Sequence, residues 1–174
     1  NYEEGGESCI LNGDKYSETF LSEIIGAKAI KGRHISMESI YEYGSRAGFW
    51  RLDKLFKEKK VPVTIFGVGL ALKQNPEVCE AIKTGDYEIA AHGYRWIDYQ
   101  GVKRSIEKKH MLDAIKTIKD IFGTRPNGWY TGRCSPNTRD LVFDEGGFLY
   151  DSDSYSDDLP YWEQRGKKKQ LIVP

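Results

Sequence analysis

No run of apolar residues in this 174-residue chain is long enough to span a membrane, so no segment reads as a transmembrane helix. Neither sign of charge is in excess: 26 Lys and Arg residues balance 26 Asp and Glu residues. Without a basic surplus or a basic stripe, nucleic-acid binding is not expected. The one local basic run, Arg165 to Lys169, reads as a solvated loop. The G-x-G-x-x-G and Walker phosphate loops are missing, which removes the main signature of an open nucleotide-binding sheet. Only 3 cysteines and 3 histidines are present. Cys9, Cys79 and Cys134 are odd in number and lack metal-site spacing, so they read as free thiols of a reducing, cytoplasmic compartment. Cys134 has no histidine nearby in sequence to make it a nucleophile. His34 and His110 lie in unrelated settings, with His110 expected to be solvated, which leaves His92 alone. Because a catalytic zinc takes two or more nitrogen or sulfur ligands, no metal cofactor is expected. An initiator methionine is also lacking, and Leu171 to Pro174 stops within a strand-like run. Both ends therefore read as cut, and residues 1–174 read as one fragmentary catalytic domain.

What is present is a regular alternation of strand and helix signals. Val61 to Val68 is β-branched and reads as a buried strand. The run from Tyr87 to Ala91, a short one from Gly128 to Gly132, Phe148 to Tyr150, and Leu171 to Pro174 give further strands. Between them, Ser45 to Lys60 has Phe49, Leu52, Leu55 and Phe56 at helical spacing, with Asp53 facing out. Asn75 and Pro76 open a second helix as cap and first-turn proline. Val102 to Phe122 is the longest helix, with Leu112, Ile115, Ile118 and Phe122 inward, and Gly123 supplies its stop. Ser135 and Pro136 open another that closes at Gly146. Residues 8–43 show no clean period and read as an excursion with short helical pieces around Glu18 to Ile25. Alternation of this kind predicts an α/β fold with a parallel sheet, and polar clusters at nearly every strand end favour a distorted barrel over an open sheet.

Those clusters are the candidate site. Glu3 and Glu4 follow one strand, His92 to Trp96 the next, Arg133 a third, and Asp151 and Asp153 a fourth. Successive strand residues face opposite sides, so one of the two glutamates is expected at the mouth. There, desolvation would raise its pKa and fit it to act as a base. Glu3, Glu4, His92 and Arg133 are the candidate catalytic residues: a carboxylate to activate water, His92 as acid or electrophile, and Arg133 to orient a carbonyl or anion. Tyr94, Arg95, Trp96, Trp129, Asp151 and Asp153 are the candidate substrate contacts. The Asp-rich run 151–158 lacks the glycine and glutamate of a calcium loop and reads as a hydrogen-bonding segment. Metal-free hydrolysis is the chemistry these groups support.

The order of the clusters resembles the polysaccharide deacetylase-like (NodB homology) superfamily. Its Thr-Phe-Asp-Asp-Gly motif is matched by Asn1 to Gly5, and its His-Ser/Thr-x-x-His motif by His92 to Trp96. Its Arg-Pro-Pro-like strand end is matched by Arg133 to Ser135. The resemblance implies a distorted β/α barrel in which the second aspartate and both histidines hold a zinc or similar ion. Here those positions include Glu4 and Trp96, so two of the three ligands differ. With the segments 37–48 and 151–162, the pattern is most similar to the cofactor-independent allantoinase branch. That branch implies metal-free opening of the hydantoin ring of allantoin to allantoate, in a homo-oligomer. Deacetylation of a chitin-type polysaccharide, with a divalent metal, is the alternative. A non-catalytic ureide- or sugar-binding relative is the third reading.

Overall fold

Short strands carrying β-branched and small apolar residues alternate with amphipathic helices throughout the computed structural model, which describes residues 1–174. Thr64–Gly67 (β1), Glu88–Ala91 (β2), Gly128–Trp129 (β3) and Tyr150–Asp151 (β4) lie side by side and parallel. Tyr161–Arg165 (β5) and Lys168–Ile172 (β6) form a hairpin, β6 joining β4 in parallel and β5 lying antiparallel outside it. At the other margin Tyr2 bridges Gly67, its N–H donating to the Phe66 carbonyl at 2.8 Å. Pairing thus runs as an arc from Tyr2 to β5, and no ladder closes it within the chain.

The two-residue period of the strands decides what the sheet offers each side. Ile65, Ile89, Ala91 and Trp129 face the helices and join Val68, Leu72, Ile82, Met111, Ile118 and Leu141 in the core. Each fully buried Leu or Ile there stabilises the fold by roughly 1.5–3 kcal/mol. Phe66, Tyr130 and Tyr150 meet edge-to-face on the other side of the sheet, with ring centroids 5.5 and 6.4 Å apart. The helices are Ile35–Tyr43 (α1), Phe49–Lys59 (α2), Gly69–Gln74 (α3), Pro76–Thr84 (α4), Arg104–Phe122 (α5) and Thr138–Glu145 (α6). None is long and apolar enough to cross a membrane. A single π turn, Gly44–Gly48, joins α1 to α2. A Cβ at Gly44 would collide with the Glu4 carboxylate, so glycine there is what admits that side chain.

Several local expectations change. The helix expected from Ser45 begins at Ile35, and residues 18–25 are turns and bends instead of helical pieces. On α2 the buried residue is Asp53, which accepts a 2.9 Å bond from the Tyr87 hydroxyl, while Leu52 and Leu55 stand exposed. Phe49 and Trp50 at the start of the helix still pack on the core. On α5, Leu112 is exposed and Glu107, Met111, Ala114 and Ile118 are buried. Asn75 does not cap α4 with its side chain; its amide donates to the Ala71 carbonyl at 2.9 Å, where the short helix α3 ends. His110 is not simply solvated: its Nδ1 lies 3.0 Å from the Tyr99 hydroxyl, and burial holds its pKa below the usual histidine value. The basic run at Arg165 to Lys169 belongs to the β5–β6 hairpin, with Gly166 at φ 59° in the turn.

Candidate active site

Every parallel strand ends on the same edge of the sheet, and the residues that follow carry the polar groups. Glu3 lies just beyond the Tyr2 bridge, His92 after β2, Tyr130 to Arg133 after β3, and Ser152 and Asp153 after β4. Alternation at the first of these settles which glutamate faces the concave side. Tyr2 points into the core, Glu3 points to His92, and Glu4 turns back toward α1 and Gly44.

Glu3 and His92 form the tightest polar pair on that side. His92 Nε2 lies 2.9 Å from Glu3 Oε1, and Nδ1 lies 2.6 Å from the Tyr130 carbonyl. The imidazole is also stacked on the Tyr130 ring, 5.0 Å between centroids and 12° from parallel. Both ring nitrogens therefore face oxygen acceptors. His92 keeps 1% of its side chain exposed and Glu3 keeps 22%, so Glu3 is the end of the pair that a substrate can reach. Burial pushes the Glu3 carboxyl upward, but the hydrogen bond and charge of His92 outweigh it and hold the pKa below 4.5. The raised pKa expected of a glutamate at the mouth belongs instead to Glu4, where burial dominates. Tyr130, whose ring stacks on His92, also lines a cavity of about 540 Å³ with Phe66, Tyr150, Ser152 and Tyr155, although neither Glu3 nor His92 lines it.

Arg133 builds a second centre. Its guanidinium lies over the Trp96 ring, 3.6 Å from the centroid, and 4.8 Å from that of Phe20. Nη1 donates to Glu18 Oε2 at 3.4 Å, whereas Nη2 is buried with no partner. Glu18 also accepts a bond from the Tyr41 hydroxyl, and the Tyr41 ring meets Trp96 edge-on.

The remaining expected contacts are structural in placement. Arg95 is spent on the Asp14 carboxylate and on the Gly6 and Glu7 carbonyls, clamping residues 5–14 to the sheet. Tyr94 packs over Gly69 and tilts toward His110. Trp129 is turned into the core by strand alternation, and its indole N–H donates to Asp153. Asp153 also accepts from the Thr131 and Gly132 N–H groups at 2.8 and 2.9 Å, tying β3 to β4. Asp151, 0% exposed, faces Arg139 at 3.7 Å, and burial pushes its pKa up to about 6. Sequence reasoning missed Tyr130, Glu18 and Tyr41. Tyr130 stands two residues beyond Gly128 on the concave side and was legible from alternation; the other two lie in the aperiodic stretch 8–43, which offered no signal.

The residues at the family's metal-ligand positions do not form a donor set for an ion. His92 has both nitrogens engaged, Glu4 faces the other side, and the indole of Trp96 offers no lone pair and carries a cation over its face. No group of three or more His, Cys, Asp or Glu side chains converges elsewhere.

Parallel strands flanked by helices, with all polar clusters at one edge, define an α/β fold of the NodB type. A polysaccharide deacetylase family model matches residues 31–142. The chain is 43% identical over 172 residues to a Schizosaccharomyces pombe protein that carries a polysaccharide deacetylase name, a match covering 93% of this chain and 53% of that one. Among solved structures, a PuuE allantoinase is 56% identical with a TM-score of 0.95, covering 100% of this chain and 59% of that one. A Pseudomonas aeruginosa PAO1 protein described as a polysaccharide deacetylase is 58% identical with the same TM-score and coverages. This chain belongs to the polysaccharide deacetylase family, and both kinds of relative are hydrolases of carbon–nitrogen bonds. It spans little more than half the length of these relatives.

Proposed function

We propose that this chain is the catalytic domain of a metal-independent amidohydrolase that opens the hydantoin ring of allantoin to give allantoate. The observation that carries the reading is the Glu3–His92 pair, one member reachable and the other sealed behind it. Glu3, ionised at neutral pH, takes a proton from a water molecule as the water oxygen attacks the ring carbonyl carbon. His92, fixed by the Tyr130 carbonyl, orients Glu3. As the carbon–nitrogen bond breaks, protonated Glu3 returns that proton to the departing nitrogen. The water oxygen remains on carbon as part of the new carboxyl group, whose remaining proton is released to solvent to leave the carboxylate. Identity to the PuuE allantoinase supports this substrate, as does the loss of a ligand set at Glu4 and Trp96. A cytoplasmic location and a homo-oligomeric assembly complete the proposal.

Deacetylation of a chitin-type polysaccharide is the second reading, favoured by the family match and by the names of two relatives. One assay on the full-length protein separates the two. Allantoate formation from allantoin is followed with and without a strong chelator, beside acetate release from a chitin oligomer. Chelator-resistant ring opening without acetate is the expected result. Chelator-sensitive acetate release would replace the allantoinase reading with the deacetylase one.

A further inference from the structure

Amide hydrolysis turns a neutral carbonyl into an anion, and a site that stabilises the developing charge must afterwards let the product go. Arg133 has the charge to hold such an anion, and Glu18 the charge to displace it. The guanidinium is fixed on Trp96 and Phe20, and Nη2 is buried without an acceptor, a donor that no group of the chain satisfies. Its one ionic partner is held loosely. The Arg133–Glu18 contact is 3.4 Å, long beside the ~2.8 Å of a strong charge-assisted bond, and Glu18 is shared with the Tyr41 hydroxyl. Both side chains are mostly buried, at 21% and 14% exposure, so solvent screens the pair only partly.

We propose that Arg133 is the receptor for the product carboxylate, and that Glu18 is its resident counter-anion, which competes with that product and promotes its release. The inference rests on the hydrolase reading, but not on which amide is cleaved, because allantoate and acetate are both carboxylates. Glu18 is a positioning residue here, acting through Arg133 alone.

The test is titration calorimetry of allantoate, and separately of acetate, into the full-length protein and its variants, beside the ring-opening assay. Arg133→Gln should weaken binding of the responsive carboxylate by about tenfold or more. Glu18→Gln, which can still accept from Tyr41, should tighten it by about three- to tenfold and slow turnover through product retention. A merely structural Glu18 would not tighten product binding. If Glu18→Gln does not fold, Tyr41→Phe serves in its place: it leaves the Glu18 carboxylate to Arg133 alone and should weaken product binding. Unchanged or weaker binding in Glu18→Gln, or binding indifferent to Arg133, overturns the proposal whether or not allantoin is opened. A response to acetate alone sustains the receptor while removing allantoin as the substrate.

Discussion

Two glutamates stand next to each other at the start of this chain, and their surroundings give them opposite titration behaviour. Glu3 has its pKa held below 4.5 by His92 despite burial, whereas burial raises that of Glu4. A depressed carboxylate contributes stability above its unfolded value, and that contribution is lost as pH falls through the lower folded value. Ring opening should therefore persist to more acidic pH than an ordinary glutamate base would allow, failing only as pH falls through the lowered Glu3 value. Replacing His92 with Asn removes the lowering partner and leaves burial to act, so the acid limb of the pH–rate profile should move to higher pH. An unmoved limb would mean that another group controls it. Glu3→Gln should cost roughly 10²–10⁴ in kcat, with a modest loss of thermal stability as His92 loses its carboxylate partner. Asp151 shows the reverse linkage. Its pKa of about 6 against 3.8 means that the fold loses about 3 kcal/mol of stability as pH rises across that interval. Asp151→Asn should flatten the dependence of Tm on pH between those values; an unchanged slope would exclude Asp151 as its source.

At the scale of elements, the polar side chains fix the strand-end loops as firmly as the apolar ones fix the helices. Glu107 on α5 is 3% exposed and accepts from Ser135 Oγ at 2.6 Å and from the Thr138 hydroxyl, holding the start of α6 and the loop that begins at Arg133. Glu107→Ala leaves both hydroxyls unpaired and should destabilise the protein by about 2–4 kcal/mol, readable in urea denaturation. It should also lower kcat more than a surface change of equal Tm cost, because Arg133 loses its support. Strands β1 to β4 and the two longest helices, α2 and α5, were legible in the sequence because β-prone runs, helical apolar spacing and the Gly123 stop of α5 are local signals. The facing of the helices was less so. Leu52 and Leu55 are at core-like spacing, yet Asp53 is the buried residue, since its bond to Tyr87 comes from a distant strand. Helix α3 was hidden because Gly69 to Leu72 continues the apolar run of β1, and the β5–β6 hairpin because its strands are largely polar at the sheet margin. The site divided along the same line. Alternation places Glu3 and His92, but the Arg133 surroundings depend on Glu18 and Tyr41, which come to it from an irregular excursion.

For the whole molecule, the balance of 26 positive and 26 negative residues leaves little mutual repulsion near neutral pH. Solubility should accordingly pass through a minimum near pH 7 and rise to either side, as light scattering across a pH series would register. His92 is tied to the strands on both sides of it. His92 N–H donates to the Gly67 carbonyl, its ring bonds the Tyr130 carbonyl, and Tyr130 N–H donates in turn to Ala91, so three adjacent chain segments hold one imidazole. His92 therefore belongs to the same cooperative unit as the central strands. Its amide protons should exchange with solvent only through global opening, and loss of activity in denaturant should coincide with loss of the sheet signal. Warming would then leave the protein either competent or unfolded, with no long-lived state that keeps the barrel wall but has lost its proton carrier.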